Sequence, residues 1–100
     1  MTEMKTEMIG ARKDKPYANV GERVKAFREK YGDKGQLITT IITNDEVKIV
    51  TQTQAIVEGI CLGTGLAEEI RGSTQVNTSS ALENCETSSI GRAISFATGF

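Results

Sequence analysis

The stretch Ile60-Cys61-Leu62-Gly63-Thr64-Gly65-Leu66-Ala67 divides into two unlike faces. Side chains alternate along a strand, so Ile60, Leu62, Thr64 and Leu66 share one side while Cys61, Gly63, Gly65 and Ala67 share the other. The second set is uniformly small and leaves a smooth surface that another backbone can approach closely. The following helix is the expected occupant. A phosphate cradle is disfavoured, because the segment lacks the lysine and spacing of a P-loop.

Two further strands precede it. Gln36-Leu37-Ile38-Thr39-Thr40-Ile41-Ile42-Thr43 is rich in β-branched residues. After a turn at Asn44-Asp45, the run from Glu46 to Val57 places Val47, Ile49, Thr51, Thr53, Ala55 and Val57 on one face. Glu58-Gly59 makes the second turn. Three strands joined by tight turns over residues 36–67 predict an antiparallel meander.

Helices flank the meander. Val20, Val24, Phe27 and Tyr31 recur at i, i+4, i+7 and i+11, the stripe of an amphipathic helix over 20–31. Asn19 and Glu22 have the spacing of a capping box, and Gly32 suits the stop. Residues 70–79 read as a polar loop carrying Arg71 and Asn77. Ser80-Ala81-Leu82-Glu83 then reads as a second capping box, opening a helix from about 81 to 98. Its expected inward stripe is Leu82, Cys85, Ser89, Ala93, Phe96 and Phe100, with Ile90 and Ala97 beside it. Glu86 lies near that stripe and is expected in a structural ion pair with Arg71 or Lys48. The fold class is therefore α+β: a helix, a three-stranded antiparallel meander, and a long helix packed on the sheet, a β-β-β-α core with a helix in front. Residues 1–16, which end in Arg12-Lys13-Asp14-Lys15-Pro16, read as a mobile charged arm, leaving 17–100 as one α+β domain.

One hundred residues suffice for one core and not for two. The histidine count is zero, which removes Ser-His-Asp and Cys-His catalysis and histidine zinc sites. No metal site and no cofactor are expected. The two cysteines, Cys61 and Cys85, are read as buried thiols of a cytosolic protein. No apolar run approaches the roughly 20 residues that span a bilayer, so no membrane partner is expected. Net charge is −1, but residues 1–35 carry nine Lys/Arg against six Asp/Glu, and residues 36–100 carry three against seven. A basic end on an acidic body suits nucleic acid, an acidic partner or another copy of the chain.

The last helix is odd on its outer side. Asn84, Ser88, Gly91 and Ser95 line up at i, i+4, i+7 and i+11, all small and uncharged, and Gly91 in mid-helix costs about 1 kcal/mol relative to alanine. Such a face makes sense where another chain or element packs closely over it, and these four residues are the expected interface of a homo-oligomer. On the first helix Arg23 and Lys30 share one flank of the stripe and Arg28 lies on the other. A solvated face is one reading of them; a rim that touches phosphate is the second.

The segment from Asn77 to Phe100, with Glu86-Thr87-Ser88 followed by Gly91-Arg92-Ala93, resembles the closing helix of Erf-type and related single-strand annealing proteins of phage recombination systems. The segment from Val20 to Arg28 and the Thr39-Thr40-Ile41 strand are similar to the same group. That resemblance implies oligomeric rings or filaments holding single-stranded DNA in a basic groove, in the cytoplasm of a host cell and alongside phage or host recombination proteins. It also implies a DNA contact at Arg92. Arg71, Arg23, Arg28, Lys13 and Lys15 complete the expected DNA-binding set. The expected function is thus sequence-independent single-stranded DNA binding and annealing, without catalysis. The strands contain no aromatic residue, so base stacking on the sheet is not expected. Two alternatives are a non-catalytic accessory module that binds a host or phage protein, and, more remotely, a metal-dependent nuclease built from Glu58, Glu68, Glu69, Glu83 and Glu86.

Overall fold

The computed structural model describes residues 19–72 and 75–100, the side chains of 75–79 excepted. The expected arm over 1–16 lies outside the described residues. Helix α1 (Val20–Tyr31) opens on the expected reciprocal cap. Asn19 Oδ1 accepts from the Glu22 amide at 2.8 Å, and Glu22 Oε1 accepts from the Asn19 amide at 3.1 Å. Gly32, at φ 58°, ends the helix, and its N–H donates to the Arg28 carbonyl. A single 3-10 turn (Gly32–Lys34) leads into the sheet.

Strands β1 (Gly35–Asn44), β2 (Lys48–Val57) and β3 (Ile60–Ile70) form one antiparallel sheet in the order β1-β2-β3. The two turns work by different chemistry. In the first, Asp45 Oδ1 accepts from the amides of Val47 and Lys48, both at 2.8 Å. The second is a two-residue loop in which Glu58 (φ 52°) and Gly59 (φ 82°) both take positive φ, the geometry that follows strand twist. The register slips once in each ladder, between Ile41 and Thr43 and between Ala55 and Ile56.

Helix α2 (Gln75–Thr98) covers one sheet face, so the α+β arrangement read from the sequence is the one observed. The expected small surface of β3 is where it lies. A Cβ at Gly63 would sit 2.7 Å from the Ala97 nitrogen, and one at Gly65 would sit 2.5 Å from the Ala93 nitrogen. Ile49, Thr51, Thr53 and Ala55 of β2 are buried beneath the helix together with Ala67, Cys85, Ser89, Ala93 and Ile94. Helix α1 packs beside α2, setting Phe27 against Ala55, Ala93 and Ile94, with Val24, Tyr31, Leu37 and Ile90 around it. Among the described residues none forms a layer over the other sheet face, which includes Ile38, Gln52, Gln54, Leu62 and Leu66.

The chain departs from the sequence reading in detail. β3 runs on to Ile70, and α2 begins at Gln75 with a break at Ser80 (φ −136°, ψ 29°), so part of the expected loop is helical. Leu82, Phe96 and Phe100 are exposed rather than inward; the close seat over the two glycines turns the small residues Ala81, Cys85, Ser89 and Ala93 to the sheet instead. Glu86 is exposed as well and needs no buried cation. Cys85 is buried and free, but Cys61 is exposed beside the β2–β3 turn.

Between α2 and the sheet runs a seam of hydroxyls. Thr53 Oγ1 lies 2.8 Å from Ser89 Oγ and 2.7 Å from Thr39 Oγ1. Thr51 Oγ1 lies 3.0 Å from Ser89 Oγ and 3.1 Å from the Cys85 carbonyl, so its single proton serves one or the other. Ser89 donates onward to the Glu86 carbonyl at 3.0 Å. Each buried hydroxyl is thereby satisfied, as burial requires.

Candidate functional site

Among the described residues, the cations that the sequence singles out do not converge. Arg92 stands over β3, where it would touch a Cβ placed on Gly65, and its Nη1 donates to the Leu66 carbonyl at 2.8 Å. Arg71 directly follows β3 and stitches the first turn. Its Nε donates to the Asp45 carbonyl at 2.7 Å and its Nη2 to Asn44 Oδ1 at 2.6 Å. Arg23 is half-buried between the helices, its Nη1 3.4 Å from the Gly91 carbonyl. Arg28 is exposed on α1. Lys13 and Lys15 lie outside the described residues.

Within the small stripe of α2, Gly91 has an occupant from the same chain. A Cβ at Gly91 would lie 2.8 Å from Val20 Cγ2 and 3.2 Å from Arg23 Nη1, so α1 is the element that needs Gly91 to be small. Gly91 is buried, and Asn84, Ser88 and Ser95 are half-buried. The missing side chain at Gly91 is thus accounted for within the chain, by α1. The periodicity marked a close approach, but the approach is intramolecular.

What the fold does assemble is a basic flank that the sequence reading named only through Arg28. On the wheel of α1, Lys25 and Arg28 fall opposite Arg23, which faces α2, and both are exposed. Three residues apart, they are neighbours on the helix surface. At the C-terminal end Lys30 Nζ sits 5.4 Å from the Tyr31 ring centroid and 5.7 Å from that of Phe100. Lys34 follows in the 3-10 turn, 3.8 Å from Glu58, with both side chains largely exposed. The acidic residues of the first turn, Asp45 and Glu46, are separated from Lys34 by the whole of β1, about 30 Å at about 3.3 Å per residue. Hydrogen bonds from the Lys48 and then the Val47 amide hold the Asp45 carboxyl below its usual pKa, so this end stays negative at neutral pH. Among the described residues no three His, Cys, Asp or Glu side chains gather as a metal site, and the carboxylates weighed for a nuclease are spread out, with Glu68 paired to Lys48 at 3.5 Å.

Residues 24–97 match the family described as Slr1353 N-terminal dsRNA-binding domain-like. The matched range takes in most of α1, the whole sheet and all but the end of α2. The chain belongs to that family. Membership in the Slr1353 N-terminal family overturns the resemblance to Erf-type phage annealing proteins. The physical reason lies in α2, whose small residues carried that resemblance: Gly91 is small because α1 packs on it, and Ser89 and Ala93 face the glycines of β3. No curated protein and no solved structure matches the chain. Among the described residues no helix is long and apolar enough to cross a membrane.

Proposed function

We propose that this domain is a non-catalytic nucleic-acid binder that grips the phosphate backbone of a double helix, foremost double-stranded RNA, along the outer flank of α1. The observation that carries this reading is the family match over residues 24–97 to a description that names double-stranded RNA binding. The geometry supports it at one place: Lys25 and Arg28 stand side by side and exposed on the flank of α1 turned away from α2. Duplex RNA is recognised chiefly by shape and by sugar and phosphate contacts, which requires cations at a fixed spacing and no access to base faces. The sheet agrees, since it carries no aromatic platform for unstacked bases. The exposed Lys34–Glu58 pair is worth little and exchanges readily for phosphate.

The test is a titration of a duplex RNA of about 16 base pairs, the span such domains cover, beside the same sequence as duplex DNA and as single-stranded DNA, each through a salt series. Duplex RNA is expected to bind tightest. Arg28→Ala and Lys25→Ala should each lower the slope of log affinity against log salt by about 1, weakening all sequences alike. Arg71→Ala should leave that slope unchanged, because its guanidinium is spent on the first turn. Tightest binding to the single strand would overturn the duplex assignment. No binding at low salt would leave the protein-binding accessory module in its place.

A further inference from the structure

Helix α1 is shorter than the layer it belongs to. Ala81, Cys85, Ser89 and Ala93 face the sheet in steps of four, so the residues that follow them, Leu82, Glu86, Ile90 and Ile94, form the adjoining flank of α2. Ile90 and Ile94 pack with Phe27 of α1. Leu82 is 40% exposed, and Glu86 is exposed as well. The same break runs along β1. Leu37, Thr39 and Ile41 stand opposite Ala55, Thr53 and Thr51 on the helix-covered face. Leu37 packs against the Phe27 cluster, whereas Ile41 is 51% exposed. Thr51 Oγ1 reaches the Cys85 carbonyl, which sets its neighbour Ile41 below the Leu82–Glu86 stretch. Two large aliphatic side chains on the covered side of the sheet thus line a notch that α1 does not reach.

The direction of α1 decides what can enter. Val20 lies against Gly91, Phe27 against Ile94 and Lys30 beside Phe100, so α1 runs the same way as α2. The chain that leads into Val20 therefore arrives from the side of the notch. We propose that the notch is filled by this chain's own segment Lys13-Asp14-Lys15-Pro16-Tyr17-Ala18, with the Tyr17 ring between Leu82 and Ile41 and the lysines against Glu86. Three observations favour this occupant. The first is reach: from Gly91 back to Glu86 is five residues of helix, about 7.5 Å, and the two residues from extended Asn19 back to Tyr17 cover about 7 Å. The second is chemistry. Tyr17 is the one aromatic residue ahead of α1, and a tyrosine offers apolar ring faces to Leu82 and Ile41 while its hydroxyl stays in water. The third is charge. Glu86 at the rim repels phosphate but suits a segment that holds Lys13 and Lys15, although an exposed pair of this kind adds direction more than energy. Tethering favours this copy's segment over that of another, since a short connection holds it at an effective concentration of about millimolar.

The full chain holds two tyrosines, Tyr17 and Tyr31, and no tryptophan. In Tyr31→Phe the emission belongs to Tyr17 alone, and acrylamide should quench it several-fold less than it quenches free N-acetyltyrosinamide. That protection should be the same from about 5 to 500 µM, below the effective concentration of a tethered segment. In the parent chain, nuclear Overhauser contacts should join the Tyr17 ring to the methyl groups of Ile41 and Leu82. Tyr17→Ala should lower Tm by roughly 5–10 °C, the response of a domain this size to loss of one seated aromatic. Ile41→Thr should then add almost nothing, whereas Ile38→Thr, on the uncovered sheet face, should have the same effect with and without Tyr17. Full quenching of Tyr17, or strict additivity of the Tyr17 and Ile41 variants, would overturn the proposal. Protection that appears only as concentration rises would put another copy's segment in the notch, and contacts from Tyr17 to Leu62 or Leu66 would place it on the uncovered sheet face; either result overturns it as well.

Discussion

The hydroxyl of Thr53, in the central strand, lies 2.8 Å from the hydroxyl of Ser89 in the closing helix, and both residues are fully buried. An α/β interface is usually filled with aliphatic side chains; here its midline is polar and hydrogen-bonded. Such pairs contribute modestly to stability but fix helix position, because a shifted helix leaves buried hydroxyls unpaired.

Ser89→Ala should therefore cost about 1 kcal/mol rather than the upper figure for an orphaned group, because Thr51 retains the Cys85 carbonyl and Thr53 retains Thr39. Thr53→Val should cost a similar amount. The double variant should fall short of the sum by about 0.5–1 kcal/mol, the signature of a shared bond. Urea unfolding of the four proteins measures it, and strict additivity would mean that the seam is energetically inert.

Gly65→Ala and Gly91→Leu probe the two sides of α2. The first forces a methyl group against the Ser89 carbonyl and the Ala93 nitrogen, backbone that cannot swing aside, and should cost about 3 kcal/mol, the upper end of ordinary overpacking. The second meets Val20 and the Arg23 guanidinium and should cost about 1–3 kcal/mol while loosening α1. Thermal unfolding gives the size of each effect. Hydrogen exchange gives its place: protection should fall in α1 for Gly91→Leu and across the β3–α2 contact for Gly65→Ala.

Asp45 gives the fold a specific acid sensitivity. Its folded pKa lies below the unfolded value of about 3.9, chiefly through the Lys48 amide and then the Val47 amide. The carboxylate therefore contributes stability above that unfolded value and loses it as pH falls through the folded pKa. Asp45→Asn should be less stable than the parent at pH 7, with the gap closing below about pH 4. Urea midpoints across the pH range measure this; a gap independent of pH would remove the carboxylate from the account.

The sheet, its turns and both helices were legible because each rests on a local pattern: the Gly63/Gly65 row on strand periodicity, the Asn19–Glu22 cap on spacing, Glu58-Gly59 on turn chemistry. What was not legible depended on partners distant in sequence. The small residue at Gly91 announced a close approach, but nothing local said that Val20, some seventy residues earlier, makes it. Phe96 fits an inward helical stripe, yet the tight seat over β3 turns it past the strand edge. Arg71 and Arg92 resemble free cations in a cation-poor segment; both are held by main-chain carbonyls, Arg71 by that of Asp45 in the first turn and Arg92 by that of Leu66 in β3. Lys25 and Arg28 form a pair only once the half-buried Arg23 shows which side of α1 faces the rest of the domain.

The packing of α1 on α2 sets a timetable for synthesis. α1 is made early, but Ile90, Gly91 and Ile94, against which it rests, come about sixty residues later. At about 5–20 residues per second this leaves α1 without its main partner for roughly 3–12 s on the ribosome. Twelve residues are too few to hold a helix alone in water. The meander, whose strands are neighbours in sequence, can pair as soon as each emerges, so α1, translated before the sheet, settles after it.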